Sequence, residues 1–265
     1  MELVLVMFFT NISIIVGLVG TMIVLKKMTS IAGSISHSLL ASLALANILK
    51  LNPLITSIPF VLITSTIIHY IKQNNKIDLE TSLSIIWAFC VSIGIILLNL
   101  SKTTSSIVSF YLFGNILFVE TIDLLTSLVY TILCLIFYLL FSKEIKNVMI
   151  DEEQSKIIGI NTTVFNIAII FMVSLAIVVT LKAVGIILLI ALFTIPPTIA
   201  YQVTNSIENC ILLSSFITFI SLILGYYISF FLNLPISSTI TITLILTLLS
   251  FNLINRKRGI IWKTN

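Results

Sequence analysis

Apolar runs of about twenty residues recur from one end of this chain to the other, the length a helix needs to cross a hydrocarbon core of roughly 30 Å. The 265 residues are 58% hydrophobic and only 9% charged, with a mean hydropathy of +1.21. That composition leaves too little polar surface to cover a soluble fold. The runs predict an all-α, polytopic membrane protein with about eight or nine transmembrane helices, spanning residues 1–265 as a single domain.

Residues 4–25 form the first run, closed by Lys26 and Lys27. The segment MELVLVMFF carries an acid and no cationic region ahead of its apolar stretch, so it reads as a first span rather than a cleaved signal. A second run, residues 30–49, stops at Lys50, Asn52 and Pro53, and a third covers residues 54–71. KQNNKIDLE is polar and turn-like, and His69 beside it reads as an interfacial side chain. After a fourth span at 82–100 and the polar stretch Ser101 to Ser106, the run SFYLFGNILFVETID is broken by Gly114, Asn115, Glu120 and Asp123, which suggests a short or partly re-entrant segment. A fifth span follows at 124–141.

The longest polar block is SKEIKNVMIDEEQSKIIGIN. Asp151, Glu152 and Glu153 suit the start of a helical turn and Gly159 its end, so a short amphipathic helix outside the membrane is expected within about 143–161. Residues 164–201 are too long for one crossing and are read as two spans joined by a tight turn near Lys182 and Gly185, with Pro196 and Pro197 kinking the second near its end. Residues 207–230 and 236–253 supply the last two, separated by FLNLPISS.

The net charge of +4 comes largely from lysines in the short gaps, which reads as an orientation signal and lipid contact rather than a nucleic-acid footprint. Placing Arg256 to Arg258 and the lysines around Asp151 in the cytoplasm requires an even number of spans between them, which the pattern supplies. Counting back puts Lys26, Lys27, Lys72 and Lys76 inside, the N-terminus outside, and Lys182 outside as an exception.

Within the second run, Ser30, Ser34, Ser38, Ser42 and Ala46 recur every four residues, a stripe that lets another helix approach closely. His37 lies beside it, where an ionisable side chain points into a bundle or cavity. Cys90, Cys134 and Cys210 are far apart in apolar runs, with no zinc-site or disulfide spacing. GxSxG, GxxxxGK[ST] and HExxH are all absent, so nothing supports covalent catalysis, a resident cofactor or ATP binding by this chain itself.

Five segments carry a resemblance. KKMTSIAGSISHSLL resembles the stretch around the histidine of the membrane permeases of ABC transporters for zinc, manganese or iron, and LFGNILFV is similar to their LFG motif. DEEQSKIIGIN is similar to their DEExAxxxGI segment, LKAVGIILLIALFTIPPTIA to their LKxVGxxLxxALLxxPxxxA run, and LNLPISSTITITL to their LDxPxGxxIVL. They follow the family's order over nearly the whole chain. The resemblance implies a multi-pass permease of the bacterial plasma membrane that pairs with a second copy. It would be docked by cytoplasmic ATP-binding subunits and supplied by an extracytoplasmic metal-binding protein. Asp151, Glu152, Glu153 and Gly159 would then belong to the coupling helix seated in the ATPase.

The same resemblance points to His37 and Asn233 as metal residues. Where many members have an aspartate four residues before the histidine this chain has Gly33, and Asn233 replaces the aspartate of LDxPxG. An imidazole with an amide oxygen and backbone carbonyls favours zinc or manganese over calcium. Two other readings remain open at this stage: a permease for a larger chelate such as a siderophore or cobalamin, and a non-transporting membrane scaffold.

Overall fold

The computed structural model describes residues 2–74, 79–100, 112–114 and 116–257. Ser101 to Ser106, Lys76, Asn115 and Arg258 lie outside the described residues. Helix α1 begins as Glu2–Ile15, widens into a π turn at Val16–Gly20 and closes as Thr21–Leu25. It is followed by α2 (Thr29–Leu49), α3 (Pro53–Asn74) and α4 (Leu79–Leu100). A 3-10 turn at Ile116–Phe118 leads into α5 (Thr121–Leu140). Two short helices come next, α6 (Ser142–Ile150) and α7 (Glu152–Ile157). The chain ends with α8 (Thr162–Val184), α9 (Ile186–Val203), α10 (Ile207–Leu232) and α11 (Ile236–Lys257). Among the described residues, nine helices are long and apolar enough to cross a membrane.

The amphipathic pattern of the outer helices is inverted relative to a soluble bundle. Along α5 the buried positions are Asp123, Ser127, the adjacent pair Tyr130 and Thr131, Cys134 and Tyr138, which fall on one helical face, while Leu125, Val129, Leu133 and Ile136 face outward. Helix α10 repeats this with Ser214, Thr218, Ser221, Gly225 and Ser229 inside. Lipid tails are as apolar as leucine, so helices associate through small and hydrogen-bonding residues and leave large apolar side chains to the bilayer. Asn11 of α1 illustrates the bonding: its Nδ2 donates to Ser127 Oγ at 2.8 Å, and its Oδ1 accepts from Thr131.

Helices α1 and α2 occupy the centre, with 78% and 72% of their spans buried, against 22% for α4 and for α11. The π turn of α1 is seated in the middle of the bundle. A Cβ at Gly17 would stand 2.6 Å from the Ile211 carbonyl of α10, and one at Gly20 would stand 2.7 Å from the Pro197 ring of α9. The long apolar block resolves into α8 and α9 with Gly185 alone between them, at φ +79. Pro196 and Pro197 lie buried inside α9.

Ion pairs fix which helix ends share a face. Lys26, after the end of α1, reaches Glu152 of α7 at 3.1 Å, and Lys146 of α6 pairs with Glu208 at the start of α10. At the opposite face Lys182, near the end of α8, meets Asp123 at 3.0 Å and Glu120 at 3.4 Å, at the start of α5. The helix ends alternate as the lysine distribution predicts, and the face of Lys26 and Lys146 is called inner, that of Lys182 outer, after that rule. Lys182, the exception to that rule, is offset locally by two carboxylates.

Candidate ion path and coupling site

Helix α2 carries His37 half-buried, two turns from its inner end. Its ring stacks on Trp87 of α4, centroids 4.6 Å apart and planes 24° from parallel. The small-residue stripe explains how α4 comes so close. Ser30 donates to Glu80 Oε1 at 2.8 Å and Ser34 to the Leu83 carbonyl at 3.3 Å, while a Cβ at Gly94 would stand 2.9 Å from the Leu40 carbonyl carbon. A four-residue repeat drifts by about 40° per step on a helix of 3.6 residues per turn. The stripe therefore turns away from α4, and Ser42 donates instead to Ser57 of α3 at 3.3 Å. Beside His37, one turn earlier, Gly33 has room: among the described residues a Cβ there would meet nothing within 4 Å.

Asn233 lies elsewhere. It ends α10 at the outer face in a left-handed conformation, φ +53, with its side chain exposed. The amide of Leu234 returns to the Ser229 carbonyl at 3.0 Å, and Ser229 Oγ donates to the Leu234 carbonyl at 2.5 Å. This satisfies the carbonyls that a helix end leaves open, and asparagine tolerates the left-handed position better than most residues. Among the described residues no group of three or more His, Cys, Asp or Glu side chains converges as a metal cluster would.

The LFG segment and the α8–α9 turn meet backbone to backbone on the outer face. Gly114 has φ +68, and a Cβ on it would lie 2.4 Å from the Gly185 nitrogen; one on Gly185 would lie 2.3 Å from the Gly114 nitrogen. Both glycines are required twice over, by conformation and by contact. Next to them the Lys182, Asp123 and Glu120 group lines a 160 Å³ cavity together with Leu43, Asn52 and Ser57. Asp123 also completes a capping box with Glu120 at the start of α5.

On the inner face the polar block forms two helices rather than the single one expected. The chain breaks at Asp151, whose φ of −146 and ψ of 107 are extended, and whose carboxylate accepts the Gln154 amide at 2.9 Å as the cap of α7. Ile145, Val148 and Met149 bury one side of α6 against the bundle, and this i, i+3, i+4 spacing is what makes the preceding residues helical too. Gly159, at φ +86, ends α7 with the Ile160 amide bonded back to Ser155 at 3.0 Å. Asp151 and Glu153 are exposed, but Glu152 turns toward the bundle. Its Oε2 is 3.1 Å from Lys26 Nζ and its Oε1 accepts from Asn166 Nδ2 of α8 at 2.9 Å. The outward side carries Ile157, 86% exposed, and Ile158, 62% exposed.

Sequence reasoning passed over Trp87, Glu80, Lys26 as a partner of the polar block, and Asn166. Lys26 opens the KKMTSIAGSISHSLL segment and the others sit in no motif, but in every case only the packing brings the residue to its neighbours.

The profile of the ABC 3 transport family matches residues 3–255. The chain is 32% identical over 248 residues to the manganese import system permease protein ScaB of Streptococcus gordonii, covering 93% of this chain and 89% of that one. It is 30% identical over 232 residues to the high-affinity zinc uptake system membrane protein ZnuB of Buchnera aphidicola subsp. Schizaphis graminum, covering 87% and 89%. The structure superposes on PsaBC from Streptococcus pneumoniae, solved in complex with Fab, with a TM-score of 0.82 and 31% identity over 94% of this chain and 88% of that one. A bundle of membrane-spanning helices with a capped polar segment on one face, matched along almost its entire length, is thus a multi-pass membrane permease of the ABC 3 transport family.

Proposed function

We propose that this chain is the membrane-spanning subunit of an ATP-driven importer for a divalent transition metal, manganese or zinc, acting as one permease domain of the plasma membrane. Sequence relatives and the solved neighbour support this reading over a carrier of large chelates. The observation that carries it is the outer side of α7. Ile157 and Ile158 are exposed on a segment that lies outside the candidate spans. Exposed apolar surface of that kind marks a protein contact. With no P-loop in its own sequence, the chain takes its energy from a separate ATPase seated there.

His37 serves as an imidazole ligand on the ion's route, with Trp87 holding its ring, and Asn233 marks the outer end of α10 as an entry point. A transported ion must leave as readily as it enters, so a sparse ligand set suits transit better than a closed coordination shell. A second copy of the permease and an extracytoplasmic metal-binding protein complete the assembly.

Uptake of radioactive manganese and zinc into cells lacking their own system, with all partner subunits supplied, tests the proposal. His37→Ala is expected to lower uptake about tenfold, the scale of one lost ligand interaction. Undiminished uptake in the variant would remove His37 from the route, and no uptake by the natural protein would remove the metal-import function.

A further inference from the structure

The acids of the coupling segment do not share one orientation. Asp151 caps α7 and Glu153 faces water, which already serves the helix N-terminus. Glu152 is not needed for that, and its carboxylate points the other way, into a junction of three helices. One oxygen is 3.1 Å from Lys26, whose side chain is only 8% exposed, and the other accepts from Asn166 at 2.9 Å. Lys26 also donates to the Val148 carbonyl of α6 at 3.0 Å. A single carboxylate therefore ties α7 to the inner ends of both α1 and α8.

Both of those helices carry the tie on into the rest of the bundle. The π turn of α1 presses Gly17 and Gly20 onto α10 and α9, and α8 ends at the outer Lys182 and Asp123 pair and the Gly185 contact with Gly114. Apolar knobs on α7 face outward while Glu152 faces inward, so α7 has a receiving side and a delivering side.

We infer that Glu152 is a positioning residue that transmits movement of α7 to α1 and α8, rather than a residue that docks the ATPase. The inference rests on the proposed importer function. The chain itself joins α7 to α8 through residues 158–161, and the carboxylate adds a direct tie from α7 to Lys26 and Asn166; without that tie a movement of α7 passes to the two spans less directly.

The test uses the complete complex of permease, ATPase subunits and loaded metal-binding protein in proteoliposomes, reading ATP hydrolysed and manganese or zinc imported together. Glu152→Gln keeps an oxygen for Asn166 and loses the ion pair; Glu152→Ala loses both. Both variants should retain their ATPase subunits on purification and hydrolyse ATP at near the natural rate. Ions imported per ATP should fall about tenfold in Glu152→Ala, a typical coupling free energy, and less in Glu152→Gln. Exchanging the pair, Lys26→Glu with Glu152→Lys, should restore only part of the ratio, because a carboxylate at 26 cannot donate to the Val148 carbonyl and a lysine at 152 stands one turn from Lys156. The introduced ammonium then meets Asn166 Oδ1, a buried oxygen with no hydrogen-bond partner among the described residues.

An unchanged ratio in Glu152→Ala overturns the inference, as does loss of the ATPase subunits from a variant that remains folded, which would make Glu152 a docking residue. If the natural complex hydrolyses ATP but imports no metal, the importer reading fails and this inference with it.

Discussion

Gly33 and the paired glycines at 114 and 185 show opposite uses of a missing side chain. Among the described residues nothing crowds Gly33, so Gly33→Asp should fold normally and place a carboxylate one turn before His37. Calorimetry on the purified complex should then show divalent-metal affinity raised by about tenfold or more, roughly 1.4 kcal/mol, with uptake slowed because a tightly held ion leaves slowly. Unaltered affinity would mean that the space beside His37 does not receive the ion. No such room exists at Gly185, where a Cβ would lie 2.3 Å from the Gly114 nitrogen and φ is +79. Gly185→Ala is expected to lower stability by about 3 kcal/mol or more, from clash and backbone strain together. A thermal melt in detergent indistinguishable from the natural protein would contradict that contact. His37 was visible in the sequence as a rare ionisable residue on a packing helix. Its stacking partner Trp87 was not, because it lies fifty positions away with no periodic link to the histidine.

At the scale of elements, the inner segment has two unlike faces, one apolar and exposed at Ile157, the other tied to the bundle through Glu152. Placing a charge on the outward face, Ile157→Asp, should abolish co-purification of the ATPase subunits while leaving the detergent melt unchanged, since Ile157 is 86% exposed and packs on little of the bundle. Retained association would place the ATPase contact elsewhere. The start of α7 at Asp151 and its end at Gly159 were legible because capping acids and a positive-φ glycine are local chemistry. Its separation from α6 was not read, although Ile145, Val148 and Met149 carry helical spacing. The π turn in α1 escaped for a different reason. VGLVG is uniformly apolar, and the turn is imposed by how Gly17 and Gly20 meet α10 and α9. Closure of α8 against α9 at Gly185 was legible from length alone, since no single span needs so many apolar residues.

For the whole molecule, hydropathy specified the number of crossings and lysine placement their alternation, and the ion pairs at the two faces join the same helix ends that this order requires. What could not be read was lateral arrangement. With lipid and helix surfaces equally apolar, neighbours are chosen by small and polar contacts such as Asn11 with Ser127 and Thr131, or Ser65 with Ser174, between residues far apart in the chain. The central claim is that this bundle carries a divalent metal inward on energy delivered at α7. The most direct measurement reconstitutes the permease with its ATPase subunits in sealed vesicles, supplies loaded metal-binding protein on the outer face, and follows manganese and zinc in the lumen. The account predicts accumulation above the external concentration only when ATP reaches the inner face. Accumulation independent of ATP, or none with all partners assembled, would contradict it.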